Sequence, residues 1–399
     1  MDILEAKKLV IEAGEKLVET GLIARTWGNV SCRVDDKTFV ITPSGKPYIG
    51  LKPEDIVEVA IEDLAWSGDV KPSSEKGIHA EVYKIYPEAN FVIHTHQKIA
   101  SAVSVLKSGI DSLAGEAQKI IGDKVLLGAY GLPGTGKLRK GVTAALKLSP
   151  SKAVIMAHHG ALCYGKDFDE AFSVADSLEK ACAEYILNAA SEKFGLAAKS
   201  LEEFASQIAG KLSKADCDVD IDLSELYDSC CDRENGRITL TNKENGEETL
   251  MDLKSGNVNG VVSDTAKAHR AIYTAQPSFN YIIHNADKET VAVSILGKTM
   301  KPLLDDFSQI CGTKIKTAKS AAKCGKKIKG KNAVLLKGKG ALCCGAVKGD
   351  AEAVDMIMSK SSLALLTSKV LDSAKPINPV EALLMRVIYL KKYSKQASE

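Results

Sequence analysis

The sequence has 399 residues, 45% apolar and 26% charged, and its 53 basic and 51 acidic side chains leave a formal net charge of +2. That length suits two domains, and so even a balance excludes a general affinity for nucleic acid or a membrane surface. No apolar run approaches the roughly 20 residues needed to span a bilayer, and ten cysteines without a Cys-x-x-Cys pair are expected to be the reduced thiols of a cytoplasmic protein.

Residues 2–20, with Leu4, Leu9, Ala13 and Leu17 at helical spacing and acids among them, predict an amphipathic helix rather than a signal peptide. Thr26 to Ser31 follow as a turn in which Gly28 permits a geometry other residues resist. Strands are expected over Val30–Val34 and Thr38–Thr42, closed by the turn Pro43-Ser44-Gly45, before Lys52–Asp55 opens a short element. Glu75, Ile78, His79, Val82 and Tyr83 then predict a helix with Ser73 or Ser74 as its N-cap. The apolar run Phe91-Val92-Ile93 reads as a buried strand leading into His94 and His96. A third helix is expected over 111–122, and Tyr130–Leu138 reads as a glycine-rich loop without the Gly-Lys-Ser/Thr of a P-loop. His159 ends another apolar run, just before Gly160. A long helix is expected from Asp167 to about Ala189. The stretch 195–222, polar and then acidic at Asp216, Asp218, Asp220 and Asp222, is expected to join two domains.

The chemistry concentrates between Ser73 and His96. Side chains alternate faces along a strand, so His94 and His96 point the same way. A lone His-x-His carries little weight. Here a nearby carboxylate, Glu75, and a distant His-Gly, His159-Gly160, add to it, and the set reads as a metal site. The turns Thr26–Asn29, Ser44-Gly45 and Ser73-Ser74 offer small polar side chains and backbone N–H groups suited to an anion.

These residues carry a resemblance. Thr26-x-Gly28-Asn29-Val30-Ser31, Ile41-Thr42-Pro43-Ser44-Gly45, Pro72-Ser73-Ser74-Glu75, His94-x-His96, Ala102-Val103-Ser104 and His158-His159-Gly160 resemble the class II aldolase/adducin family in order and spacing over residues 1 to about 200. The nearest likeness within it is to the fuculose-phosphate aldolases. The resemblance implies three-layer α/β/α domains with a mostly antiparallel central sheet. It implies one divalent metal per chain, zinc foremost, on His94, His96 and His159. Glu75 is then the general base, and a metal ligand when substrate is absent. Thr26, Gly28, Asn29, Ser44, Gly45, Ser73 and Ser74 are expected to hold the substrate phosphate. The expected reaction is reversible cleavage of a phosphorylated ketose to dihydroxyacetone phosphate and a small aldehyde, with the carbanion's charge taken by the metal as an enediolate. Similar aldolases use a tyrosine from a neighbouring subunit as proton donor, but Ala114–Gln118 lacks it, which leaves the aldehyde open.

The second half repeats the first. Ile93-His94 matches Ile283-His284, Ala102-Val103-Ser104 matches Ala292-Val293-Ser294, His79 and Tyr83 match His269 and Tyr273, and Gly160-Ala161-Leu162-Cys163 matches Gly340-Ala341-Leu342-Cys343. The chemistry is not repeated: Thr265 stands opposite Glu75, Ala286 opposite His96 and Lys339 opposite His159. No partner for the Gly28-Asn29 turn is evident near Cys231–Gly236. The expectation is therefore two tandem aldolase-like domains, 1–205 catalytic and 206–399 without metal. Family fold and duplication together imply a homodimer that mimics the four-fold ring of similar aldolases. The competing readings are a sugar-phosphate epimerase or a dehydratase of the same family, and a non-catalytic adducin-like protein. Epimerases typically carry Asp where this chain has Glu75, and adducins lack the metal set.

Overall fold

A computed structural model describes residues 1–23, 27–214 and 219–392. Thr26, Asp216 and Asp218 lie outside the described residues. Contacts gather the chain into two units, residues 1–188 with a return at Leu371–Ala374, and residues 189–370 with Lys375–Leu390. The sequence-based boundary at 205/206 falls inside a helix of the second unit.

In the first unit α1 (Ile3–Glu19) is capped by Asp2, whose carboxylate accepts from the Leu4 amide at 2.9 Å. Its buried stripe Ala6, Val10, Ala13 and Leu17 recurs at helical spacing. The strands are β1 (Asn29–Arg33), β2 (Thr38–Ile41), β3 (Val57–Ala60), β4 (Phe91–Thr95), β5 (Leu126–Gly128), β6 (Ala153–Met156) and β7 (Gly160–Gly165). They form one sheet in the order β3-β2-β1-β4-β7-β6-β5, antiparallel except for the β5–β6 edge. The helices are α2 (Lys76–Ile85), α3 (Lys98–Val103), α4 (Gly115–Ile121), α5 (Gly136–Leu148) and α6 (Phe168–Phe194). Ile78 and Val82 of α2 and Leu138, Val142 and Leu146 of α5 pack with Phe39, Val92, Met156 and Leu162 on one face of the sheet. Phe91 meets Phe168 of α6 on the other, with ring centroids 5.4 Å apart. Every residue of β1, β4 and β7 is buried, as a sheet covered on both faces requires.

Three local expectations shift. The helix expected from 111 starts at Gly115, because Ile110 and Leu113 give their amides to Val125 and Asp123 carbonyls at 2.9 and 2.7 Å. The loop after Tyr130 ends early: α5 begins at Gly136, with Thr135 capping the Leu138 amide. Glu75, not a serine, is the N-cap of α2, and Ser73 Oγ accepts from the Glu75 amide at 3.2 Å.

The second unit repeats the plan. Its helices are α7 (Leu201–Ser213), α8 (Asp264–Ala275), α9 (Lys288–Leu296), α10 (Cys324–Ile328), α11 (Lys348–Val370) and α12 (Pro379–Lys392). Strands β8 (Tyr227–Asp232), β9 (Arg237–Asn242), β10 (Glu248–Asp252), β11 (Tyr281–Asn285), β12 (Thr317–Ala318), β13 (Ala333–Leu336) and β14 (Ala341–Gly345) run in the order β10-β9-β8-β11-β14-β13-β12. Registers coincide as well, with Phe91 opposite Gly165 and Tyr281 opposite Gly345. The end of α2 is held by Arg33, which donates to the Tyr83, Tyr86 and Ala89 carbonyls; Arg233 does the same at Tyr273, Gln276 and Phe279. The two halves are therefore tandem α/β domains of one fold. All nine cysteines among the described residues are free.

Candidate metal centre

Four elements converge at one end of the first sheet. His94 is on β4, and His96 lies one residue past its end. His159 sits in the β6–β7 turn, where its amide donates to the Met156 carbonyl at 3.0 Å. That turn is tight: His158 adopts φ 61°, and a Cβ on Gly160 would lie 2.1 Å from the Thr95 carbonyl oxygen. Only glycine lets β7 come so close to β4. Glu75 enters from the start of α2.

His94 Nε2 lies 3.1 Å from His96 Nε2 and 3.1 Å from His159 Nε2. Glu75 Oε2 lies 3.2 Å from His94 Nε2, and Oε1 3.1 Å from His159 Nε2. All four donor atoms fall within 4.8 Å of one another. A tetrahedral ion with bonds of 2.0–2.1 Å needs donors about 3.3 Å apart, so these spacings fit zinc. The proton positions fit too. His94 Nδ1 is 2.8 Å from the Ala161 carbonyl, an acceptor only, so Nδ1 carries the proton and Nε2 turns its lone pair inward. Burial pushes the Glu75 carboxyl up, but the facing His159 and His94 imidazoles, when protonated, outweigh it and hold the group well below the usual range.

The turns named from sequence are drawn together. The Val30 amide donates to Thr42 Oγ1 at 3.2 Å, the Ser73 amide to the Thr42 carbonyl at 3.1 Å, and the Ser44 amide to the Lys71 carbonyl at 2.9 Å. Gly28, at φ 86°, lies where a Cβ would be 2.5 Å from the His94 carbonyl oxygen, so that turn rests on the ligand strand. Gly45 also has positive φ. Ser73 is buried and Ser74 exposed.

One feature escaped the sequence reading. Asn29 Nδ2 donates to Glu75 Oε2 at 3.2 Å, and Asn29 Oδ1 meets His79 Nε2 at 2.5 Å. His79 Nδ1 meets Ser31 Oγ at 2.7 Å, and Ser31 Oγ meets the Tyr83 hydroxyl at 2.7 Å. All five side chains are buried. Burial pushes the His79 imidazole down to about 3, so it is neutral. The signal was present in the recurrence of His79 and Tyr83 as His269 and Tyr273.

In the second unit Ser229 Oγ meets His269 Nδ1 at 2.7 Å and the Tyr273 hydroxyl at 2.9 Å. The counterpart of β1 is thus Tyr227–Asp232, with Tyr227 in the place of Asn29, and His269 Nε2 has no partner. His284 Nε2 lies 2.5 Å from the Lys339 carbonyl. The Lys339 ammonium pairs with Glu225, and Thr265 Oγ1 donates to the Glu225 carbonyl. Among the described residues, no metal-ligating cluster lies within this unit.

Comparison with known proteins bears on both halves. The family described as Class II Aldolase and Adducin N-terminal domain matches residues 8–186 and 239–363. The chain is 32% identical over 176 residues to the 5-methylthioribulose-1-phosphate/5-deoxyribulose-1-phosphate aldolase of Rhodospirillum rubrum, covering 44% of this chain and 78% of that one. It is 32% identical over 186 residues to the L-fuculose phosphate aldolase of Haemophilus influenzae, covering 47% and 84%. A solved L-fuculose 1-phosphate aldolase is 28% identical with a TM-score of 0.43, covering 46% of this chain and 86% of that one.

Proposed function

The chain belongs to the class II aldolase and adducin family, and from that premise we propose that its first unit is a metal-dependent aldolase cleaving a phosphorylated ketose to dihydroxyacetone phosphate and a small aldehyde. The observation that carries this reading is the convergence of Glu75, His94, His96 and His159 on one tetrahedron-sized space. His94, His96 and His159 would hold one divalent ion, zinc foremost. When bound, it supplies a Lewis acid for the negative charge that develops on the ketose oxygens.

The chain's own residues do the rest. Thr26, Gly28, Asn29, Ser44, Gly45, Ser73 and Ser74 take the phosphate, and the grouping of 28–30, 42–45 and 71–74 supports that assignment. Glu75 follows the two serines directly, so a substrate anchored there presents its neighbouring carbon to the carboxylate. Glu75 Oε2 accepts from the Asn29 amide, whereas Oε1 is not held by Asn29 and faces His159 Nε2 at 3.1 Å. Oε1 therefore removes the proton from that carbon in the aldol direction and returns it in cleavage. The relatives named above act, by their names, on methylthioribulose, deoxyribulose and fuculose phosphates, which supports that substrate class. Among its described residues the second unit contributes no ligand set of its own, so the proposed metal stoichiometry is one per chain. The assembly we propose is a homodimer in the cytoplasm.

The test is a panel of ketose 1-phosphates with the zinc-loaded protein, reading triose phosphate release through a coupled dehydrogenase. Release that stops on chelation and returns with zinc is expected. A fully metallated protein that cleaves no member of the panel refutes the proposal.

A further inference from the structure

The buried side chains behind Glu75 form a line whose protons can be assigned one by one. A carboxylate only accepts, so Asn29 must turn its Nδ2 to Glu75 and its Oδ1 to His79. An amide oxygen also only accepts, so His79 Nε2 must carry a proton. In a neutral ring Nδ1 is then bare and accepts from Ser31 Oγ. The Ser31 proton being spent there, Ser31 Oγ accepts from the Tyr83 hydroxyl. The direction of every bond runs from Tyr83 to Glu75, and each member has one orientation.

We propose that His79, set by Ser31 and Tyr83, is a positioning residue. It locks the Asn29 amide so that its NH2 occupies Glu75 Oε2, which leaves Oε1 as the oxygen that handles the proton. The inference rests on the proposed role of Glu75 for its kinetic consequence, and on the hydrogen-bond geometry alone for the proton positions.

The second unit supplies a control within the same chain. Ser229, His269 and Tyr273 repeat the Ser31, His79 and Tyr83 contacts, joining the equivalent strand to the equivalent helix. There the line stops at the imidazole, for Tyr227 and Thr265 replace Asn29 and Glu75, and His269 Nε2 is left without a partner. The Ser–His–Tyr contact thus serves the fold in both units and reaches a carboxylate in only one. Removing the serine should cost similar stability in each unit and affect chemistry in the first alone.

The experiment compares Ser31→Ala with Ser229→Ala in the full chain. Without Ser31, His79 Nδ1 loses its donor. The ring is then free to take the other tautomer, and the Asn29 amide to turn its oxygen toward the carboxylate. Imidazole 15N spectra of the metal-free protein should show His79 protonated at Nε2 in the parent and shifted toward Nδ1 in Ser31→Ala. With zinc restored, Ser31→Ala should lower kcat by ~10–100-fold, the range typical of groups that orient a metal site, with KM within about twofold. Ser229→Ala should melt like Ser31→Ala and keep the parent kcat. A parent His79 protonated at Nδ1, or equal loss of kcat in both variants, overturns the inference. If no ketose phosphate proves to be a substrate, the 15N spectra still decide the proton assignments, so a failure of the aldolase reading stays distinguishable from a failure of this one.

Discussion

Glu75→Gln tests the centre most directly. Glutamine keeps the length of the side chain and can keep the Asn29 contact, since its amide oxygen accepts from Asn29 Nδ2 as Oε2 does at 3.2 Å. What changes is the other arm. An NH2 replaces Oε1, which now faces His159 Nε2 at 3.1 Å and is not held by Asn29. The variant cannot take a proton there. The three imidazoles are untouched, and the Ala161 carbonyl still holds His94 with Nε2 inward at an Nδ1 distance of 2.8 Å. Metal should remain near one equivalent. A general base contributes ~10²–10⁴-fold, or about 2.7–5.4 kcal/mol of barrier, so kcat should drop at least ~100-fold. The assay pairs elemental analysis with steady-state cleavage of the best ketose phosphate. Near-parental kcat at full metal content would show that Oε1 is not the base. Loss of the metal itself would show that Glu75 is first a ligand.

Four further outcomes are expected. Replacing His94 and His96 together by alanine should abolish zinc binding by elemental analysis, while His284→Ala leaves one equivalent. Ser73→Ala with Ser74→Ala should chiefly raise KM for phosphorylated substrates, with little change in kcat. Asp355 has its carboxyl pushed up to about 6 from 3.8 by burial, with Asp287 adding to the effect. The folded state thus binds that proton more tightly than the unfolded state, so its stability contribution is full below about pH 4 and lost as pH rises through about 6. Asp355→Asn should accordingly raise the melting temperature at pH 8, by the equivalent of at most about 3 kcal/mol, and bring no gain at pH 4. Finally, light scattering should give twice the chain mass of 42.6 kDa; a fully active monomer would refute the dimer.

The site was legible in the sequence where chemistry forces unusual residues into fixed order. Histidines at 94, 96 and 159 with Glu75 have no cheap reason to recur together, and the loss of three of the four in the second half pointed to one centre rather than two. The fold was legible because the second half repeats it, down to the glycines at 160 and 340 that let adjacent strands close up. The Asn29–Tyr83 line was not legible. Asn29 and Ser31 alternate on one strand face, and His79 and Tyr83 share one helix face, but which strand face meets which helix face is decided by the packing of α2 on the sheet. Periodicity describes each element separately and says nothing of that meeting. The N-cap shifted as well: Ser73 Oγ accepts from the Glu75 amide two residues on, as a cap does, but the regular helix begins only at Lys76.

Lys339 stands where the first unit has His159, with its amide donating to the Leu336 carbonyl as His159 donates to Met156. Its ammonium, paired with Glu225, is a positive charge bound covalently to the chain. Such a charge cannot be chelated, diluted away or exchanged for a neighbouring metal in the series. The histidine cluster carries no such built-in charge, so the cation proposed for it would come from solution and be lost when supply fails. On the proposed reading one polypeptide holds two versions of the same architecture, one whose charge depends on the metal around it and one whose charge does not. Titration with a chelator should therefore loosen amide protection around β4 and β7 and leave the same positions of β11 and β14 as they were.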